Sequence, residues 1–164
     1  MNGYWVGPYT GSNTGRMVFE VDDMDTHFEG CAYAYEANPT LPSTFAIVKT
    51  PNKASRLRFK APLFPLHPHT GEPAEWPQIA NLYPGQNINV PKEAEVECEW
   101  DDRHLRLRWR TDIGTFGAAE LPRGQASEPS SLEPLAVRTW QQFKEYVVRL
   151  EPYRFIFRGQ ANTW

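Results

Sequence analysis

A mainly β fold, an antiparallel β-barrel or β-sandwich of about seven to nine strands followed by one C-terminal helix and a short strand, is what this sequence predicts. Three observations carry that prediction. Residues 95–110 alternate with period two in both halves and read as an antiparallel hairpin. Fifteen prolines and eleven glycines fall between alternating runs instead of inside one low-complexity block, which suits a turn-rich β domain. Helical spacing appears only after residue 121.

The hairpin specifies its own register. If its turn closes between Asp101 and His104, Trp100 faces Leu105, Cys98 faces Leu107 and Val96 faces Trp109. On the other face Glu99 meets Arg106, Glu97 meets Arg108 and Glu95 meets Arg110. A slip of one residue would push every apolar side chain into water and set acids against apolar residues, so both faces oppose it. Exposed Glu–Arg pairs contribute little energy and mark a solvated sheet face more than a binding surface.

From the N-terminus, residues 3–15 carry a glycine at every fourth position with aromatics between, which implies tight turns and close strand approach. Residues 16–22 alternate with Met17, Phe19 and Val21 on one face, and Asp22, Asp23 and Asp25 supply turn chemistry. Residues 27–36 form a second strand of a meander, with Gly30 expected at a bulge or bend. Residues 43–49 make a third strand and residues 56–60 a fourth. Six prolines between residues 62 and 84 forbid a regular hydrogen-bond ladder, although Leu63, Phe64, Leu66, Trp76, Ile79 and Leu82 should pack the segment on the sheet. So long an ordered loop is more often functional than a short one. Residues 88–90 are expected to add a short strand and residues 114–121 the last one.

The β domain is therefore placed at residues 1–121 and a proline-rich linker at 122–138. Thr139 and Gln142 form a capping box, Trp140, Phe143, Val147 and Leu150 recur at helical spacing, and Pro152 ends the pattern. A helix over 139–151 then leads into a strand over 153–158.

Composition excludes several functions. The net charge of −3 gives no global basic field for nucleic acid or an anionic membrane. No apolar stretch approaches the roughly 20 residues of a membrane-crossing helix, and no basic-then-apolar leader opens the chain, so a cytoplasmic location is expected. Cys31 and Cys98 fall at strand centres and read as reduced core residues, with a single disulfide between them as the alternative. His67 and His69, with His27 and His104, lack the third or fourth preorganised ligand that zinc needs. Asp22, Asp23 and Asp25 lack the glycine and distal glutamate of a calcium loop. No phosphate loop, nucleophile elbow or metalloprotease motif occurs, so no cofactor is expected.

Trp140, Phe143, Val148 and Leu150, followed by Phe155, Ile156, Phe157, Arg158, Gly159, Gln160 and Trp164, resemble the start of an FRG domain. The resemblance spans residues 140–164 and stops where the sequence does, before the leucine, proline and arginine pattern that follows in that family. It implies that the chain is the N-terminal portion of a longer protein, whose remaining FRG domain is its first partner. A strand ending in Arg-Gly is also similar to the first motif of many ADP-ribosyltransferases, where the arginine holds the phosphates of NAD. Only Arg158 carries over, so the similarity implies phosphate contacts in a complete protein and no activity from this chain. The apolar residues of 139–164 need cover, from the β domain or from a second copy in a homodimer.

The candidate ligand-binding residues are Tyr9, Trp76 and Tyr83, aromatics placed among glycines and prolines and expected to be exposed, together with Arg158 from the resemblance. They define the first expectation, a non-catalytic recognition or regulatory domain that binds a partner through the loop at 62–84 and the glycine-rich opening. The second is an ADP-ribosyltransferase-like enzyme with its site in the FRG domain. The third rests on Gly3-x-Trp5, which resembles lipocalin- and avidin-like barrels whose mouths hold small ligands.

Overall fold

A computed structural model describes residues 1–84 and 88–124, which wind into a closed barrel of eight antiparallel strands in up-and-down order. The strands are β1 (Gly3–Gly11), β2 (Gly15–Asp23), β3 (Phe28–Glu36), β4 (Thr44–Lys49), β5 (Arg56–Pro65), β6 (Glu93–Trp100), β7 (His104–Thr111) and β8 (Phe116–Pro122). Closure comes from β1 meeting β8 at Tyr9↔Ala119, Thr10↔Ala118 and Gly11↔Gly117. This decides for a barrel over a sandwich, and it removes the unpaired edges that an open sheet would leave. The expected helix at 139–151, the strand at 153–158, and the linker at 122–138 beyond Gly124 lie outside the described residues.

β6 and β7 pair in the register that their charges require, from Trp100↔Leu105 to Glu95↔Arg110. Outside, Glu97 binds both Arg58 of β5 and Arg108 of β7, and Arg56 meets Glu99 at 3.1 Å. The ladder is exposed, as expected of a solvated face. The outer side of β1–β5 is different, because Val18, Cys31, Tyr33, Phe45 and Ile47 point outward and are buried in a second apolar cluster. Cys98 faces inward, and both cysteines are free thiols.

Four expectations need correction. β5 does not stop at Lys60 but runs through Pro62 to Pro65. Pro62 is the last residue paired with β6 and Pro65 the last paired with β4, so each missing N–H falls at the end of a ladder, where it costs little. Gly30 makes no bulge, since β2 and β3 pair without interruption from Gly15↔Glu36 to Asp23↔Phe28. It permits close approach instead: a Cβ there would lie 1.9 Å from the Glu20 carbonyl oxygen. Residues 88–90 form no strand, and residues 76–79, read as loop, form one helical turn, α1 (Trp76–Ile79), with Glu75 and Gln78 as its capping box. A four-residue helix is too short for periodicity to reveal. No helix among the described residues is long and apolar enough to cross a membrane.

Candidate functional site

Alternation puts every second residue of a strand inside a barrel, so the sizes of those residues decide whether the interior is full. At the end where β1 begins, the inward residues are large. Trp5 and Leu105 are fully buried, and Phe28 meets Trp100 edge to face with ring centroids 5.5 Å apart. The Trp5 indole N–H donates to the Met1 carbonyl at 2.9 Å, and the Arg123 guanidinium lies 4.1 Å above the indole ring. Arg123 also donates to the carbonyls of Asp102 and Asn2, at 2.8 and 2.9 Å, which ties the end of β8 to the β6–β7 turn and to the start of the chain across this pole. That end is plugged.

Toward the other end the same strands carry alanine at inward positions: Ala32 and Ala34 on β3, Ala46 on β4, Ala61 on β5 and Ala94 on β6. These short side chains leave a cavity of about 310 Å³, at the lower limit of the roughly 300–1,000 Å³ of small-molecule sites. Met17, Phe19, Phe59, Leu63, Val96 and Leu107 complete its apolar floor and walls. All four connections at this end contribute to the mouth, through Asn13, Leu41 and Pro42, residues 88–91, and Ile113. Residues 88–91 thus serve as rim and not as strand.

Two titratable side chains line the cavity among the described residues, Tyr9 and Glu36. They sit two strands apart in the same row, on either side of Gly15, since Tyr9 pairs with Gly15 and Gly15 with Glu36. The Tyr9 ring rests edge-on against Trp109, with centroids 5.7 Å apart. The Tyr9 hydroxyl and the Glu36 carboxylate are both buried and interact with each other across Gly15. Burial, then the Glu36 charge, raises the phenol of Tyr9 far above its ordinary range. Burial also raises the Glu36 carboxyl, with Tyr9 partly opposing the shift. The other polar groups of the lining are neutral, such as Thr44, Asn89 and Thr111. The described residues hold no cluster of three or more metal-ligating side chains.

Of the three singled-out residues that are described, Tyr9, Trp76 and Tyr83, only Tyr9 lines the cavity. It is 4% exposed, not open to solvent as expected, because its ring crosses the inner wall. Trp76 and Tyr83 belong to the connection at the same end but turn away from the cavity into a small cluster with Ala74 and Ile79. Tyr83 is buried as well, its hydroxyl donating to the Leu66 carbonyl at 3.1 Å, while Trp76 stays partly exposed beside it. Arg158 lies outside the described residues. The sequence reading passed over Glu36 and the alanines. A signal existed in Ala32, Ala34 and Ala46, poor strand formers within predicted strands, and in Ala61 and Ala94, each one residue outside another.

Compared with known proteins, the chain matches no family model, no curated protein and no solved structure.

Proposed function

We propose that this domain binds one small, mainly apolar molecule inside the open end of its barrel, as a carrier or a ligand-sensing module. The observation that carries the reading is the alanine-lined cavity, closed at its far end by a packed plug and open through four connections. Eight-stranded barrels either fill their interior with side chains or leave room for one small ligand. Here one chain has both arrangements, one at each end. Apolar lining supplies the affinity, and the few polar groups supply orientation.

A titration with the fluorescent probe N-phenyl-1-naphthylamine tests the proposal. One probe per chain should bind, and Ala46→Leu should abolish binding without lowering the melting temperature, because the added side chain fills empty space. Binding that survives Ala46→Leu would place the probe elsewhere and overturn the reading.

The recognition-module reading retains one specific support, the partly exposed Trp76 packed beside Tyr83 with ring centroids 5.6 Å apart. On that reading the partner belongs to an FRG-domain protein and docks on the rim, and Trp76→Ala should weaken capture of the remaining FRG domain while leaving probe binding intact. On the ADP-ribosyltransferase-like reading, in which the complete protein carries the site, Arg158→Ala should abolish its turnover.

A further inference from the structure

Among the described residues, the cavity lining contains one carboxylate and no cation. Glu36 is the sole charged side chain of its lining among the described residues, which include no lysine, arginine or histidine there. A fatty acid or a phosphate ester would therefore bring a negative charge toward another in a low-dielectric pocket, where repulsion is poorly screened. A cation would meet its complement.

The details around Glu36 show how such a group would be held. The backbone N–H of Glu36 donates to Ser43 Oγ at 3.0 Å, which fixes the strand end that carries the carboxylate. Gly15 clears the space between Glu36 and Tyr9, for a Cβ there would fall 2.7 Å from the Tyr9 hydroxyl and 2.0 Å from the Tyr35 carbonyl oxygen. The phenol thus lies over the glycine toward the carboxylate. The two buried groups interact with each other, and a buried carboxylate is stabilised when a cationic donor reaches it. Tyr9 and Trp109 line the same wall, with Phe116 at the mouth and 54% exposed. Aromatic faces attract an ammonium group as well as apolar carbon.

Resting on the ligand-barrel reading, we propose that the molecule taken up is a cationic amphiphile, an apolar body with a protonated amine, whose ammonium is received by Glu36 beside Tyr9. The apolar body occupies the alanine-lined space below.

Three probes that share an octyl chain test this in the full chain: n-octylamine, 1-octanol and octanoate, each measured by displacement of N-phenyl-1-naphthylamine at pH 7.5. The amine should bind about tenfold more tightly than the alcohol, the margin of one charge-assisted hydrogen bond, and octanoate should bind most weakly. Glu36→Gln should remove the amine preference, leave octanol within about twofold, and strengthen octanoate. Equal binding of amine and alcohol, tightest binding of octanoate, or an amine preference that persists in Glu36→Gln would overturn the proposal while leaving a ligand-binding barrel. Failure of all three chains to displace the probe would overturn both readings. If Glu36→Gln does not fold, the order of the three probes on the unaltered protein decides alone.

Discussion

The two ends of this barrel are built by the same eight strands, yet one is solid and the other hollow. Along β3 the inward residue changes from Phe28 to Ala32 and Ala34, along β5 from Leu57 to Ala61, and along β6 from Cys98 and Trp100 to Ala94. Backbone closure alone therefore does not make a binding site; the size of the inward residues does. The solid end holds the fold and releases the hollow end from that task. Stability and function should respond to different substitutions accordingly.

The largest expected effect lies at the solid end. Trp5→Ala removes a fully buried indole together with its bond to Met1 and its contact with Arg123, and should cost about 3–5 kcal/mol in denaturant unfolding. The corresponding change at the hollow end runs the other way: Ala61→Leu should leave unfolding unchanged or raise the midpoint, while weakening probe binding at least tenfold. If Trp5→Ala and Ala61→Leu destabilise equally, the two ends do not differ as described. Gly15→Ala should fall between them, at about 1–3 kcal/mol of overpacking, since its methyl group would strike the Tyr35 carbonyl oxygen and the Tyr9 hydroxyl.

A smaller effect separates the ends by pH. Burial raises the Glu36 carboxyl above its ordinary value of 4.5, so the folded protein holds that proton more tightly than the unfolded chain does. Its contribution is complete below about pH 4.5 and declines as pH rises through the higher folded value. Unfolding midpoints measured from pH 4 upward should show that decline in the unaltered protein and lose it in Glu36→Gln. An equal slope in both would place the titrating group elsewhere. The smallest change belongs to the outer ladder, where Glu97→Gln should leave the melting temperature unmoved within error, because its partners Arg58 and Arg108 are exposed.

Legibility in the sequence followed the same division. The hairpin of β6 and β7 could be read to single-residue register, because Glu95, Glu97 and Glu99 opposite three arginines and Val96, Cys98 and Trp100 opposite apolar residues give two independent patterns. Strand number and antiparallel order followed from alternation and turn residues. Closure into a barrel did not, since it depends on Tyr9, Thr10 and Gly11 meeting β8 more than a hundred positions away, and period two is the same in a sandwich. The cavity was hidden for a simpler reason. Ala32, Ala46 and Ala61 carry no chemistry of their own and matter only because they face one another across the interior. Trp76 and Tyr83 drew the eye by their size and their place among prolines, and the fold uses Tyr83 to pin the loop to Leu66.

Xenon is the most direct probe of the hollow end, since it enters apolar cavities that remain free of water. A crystal of the full chain pressurised with xenon should show the gas between Ala46, Ala61 and Trp109, with none beside Trp5. Side chains occupying that space would mean that the barrel is packed from end to end, and would contradict the account.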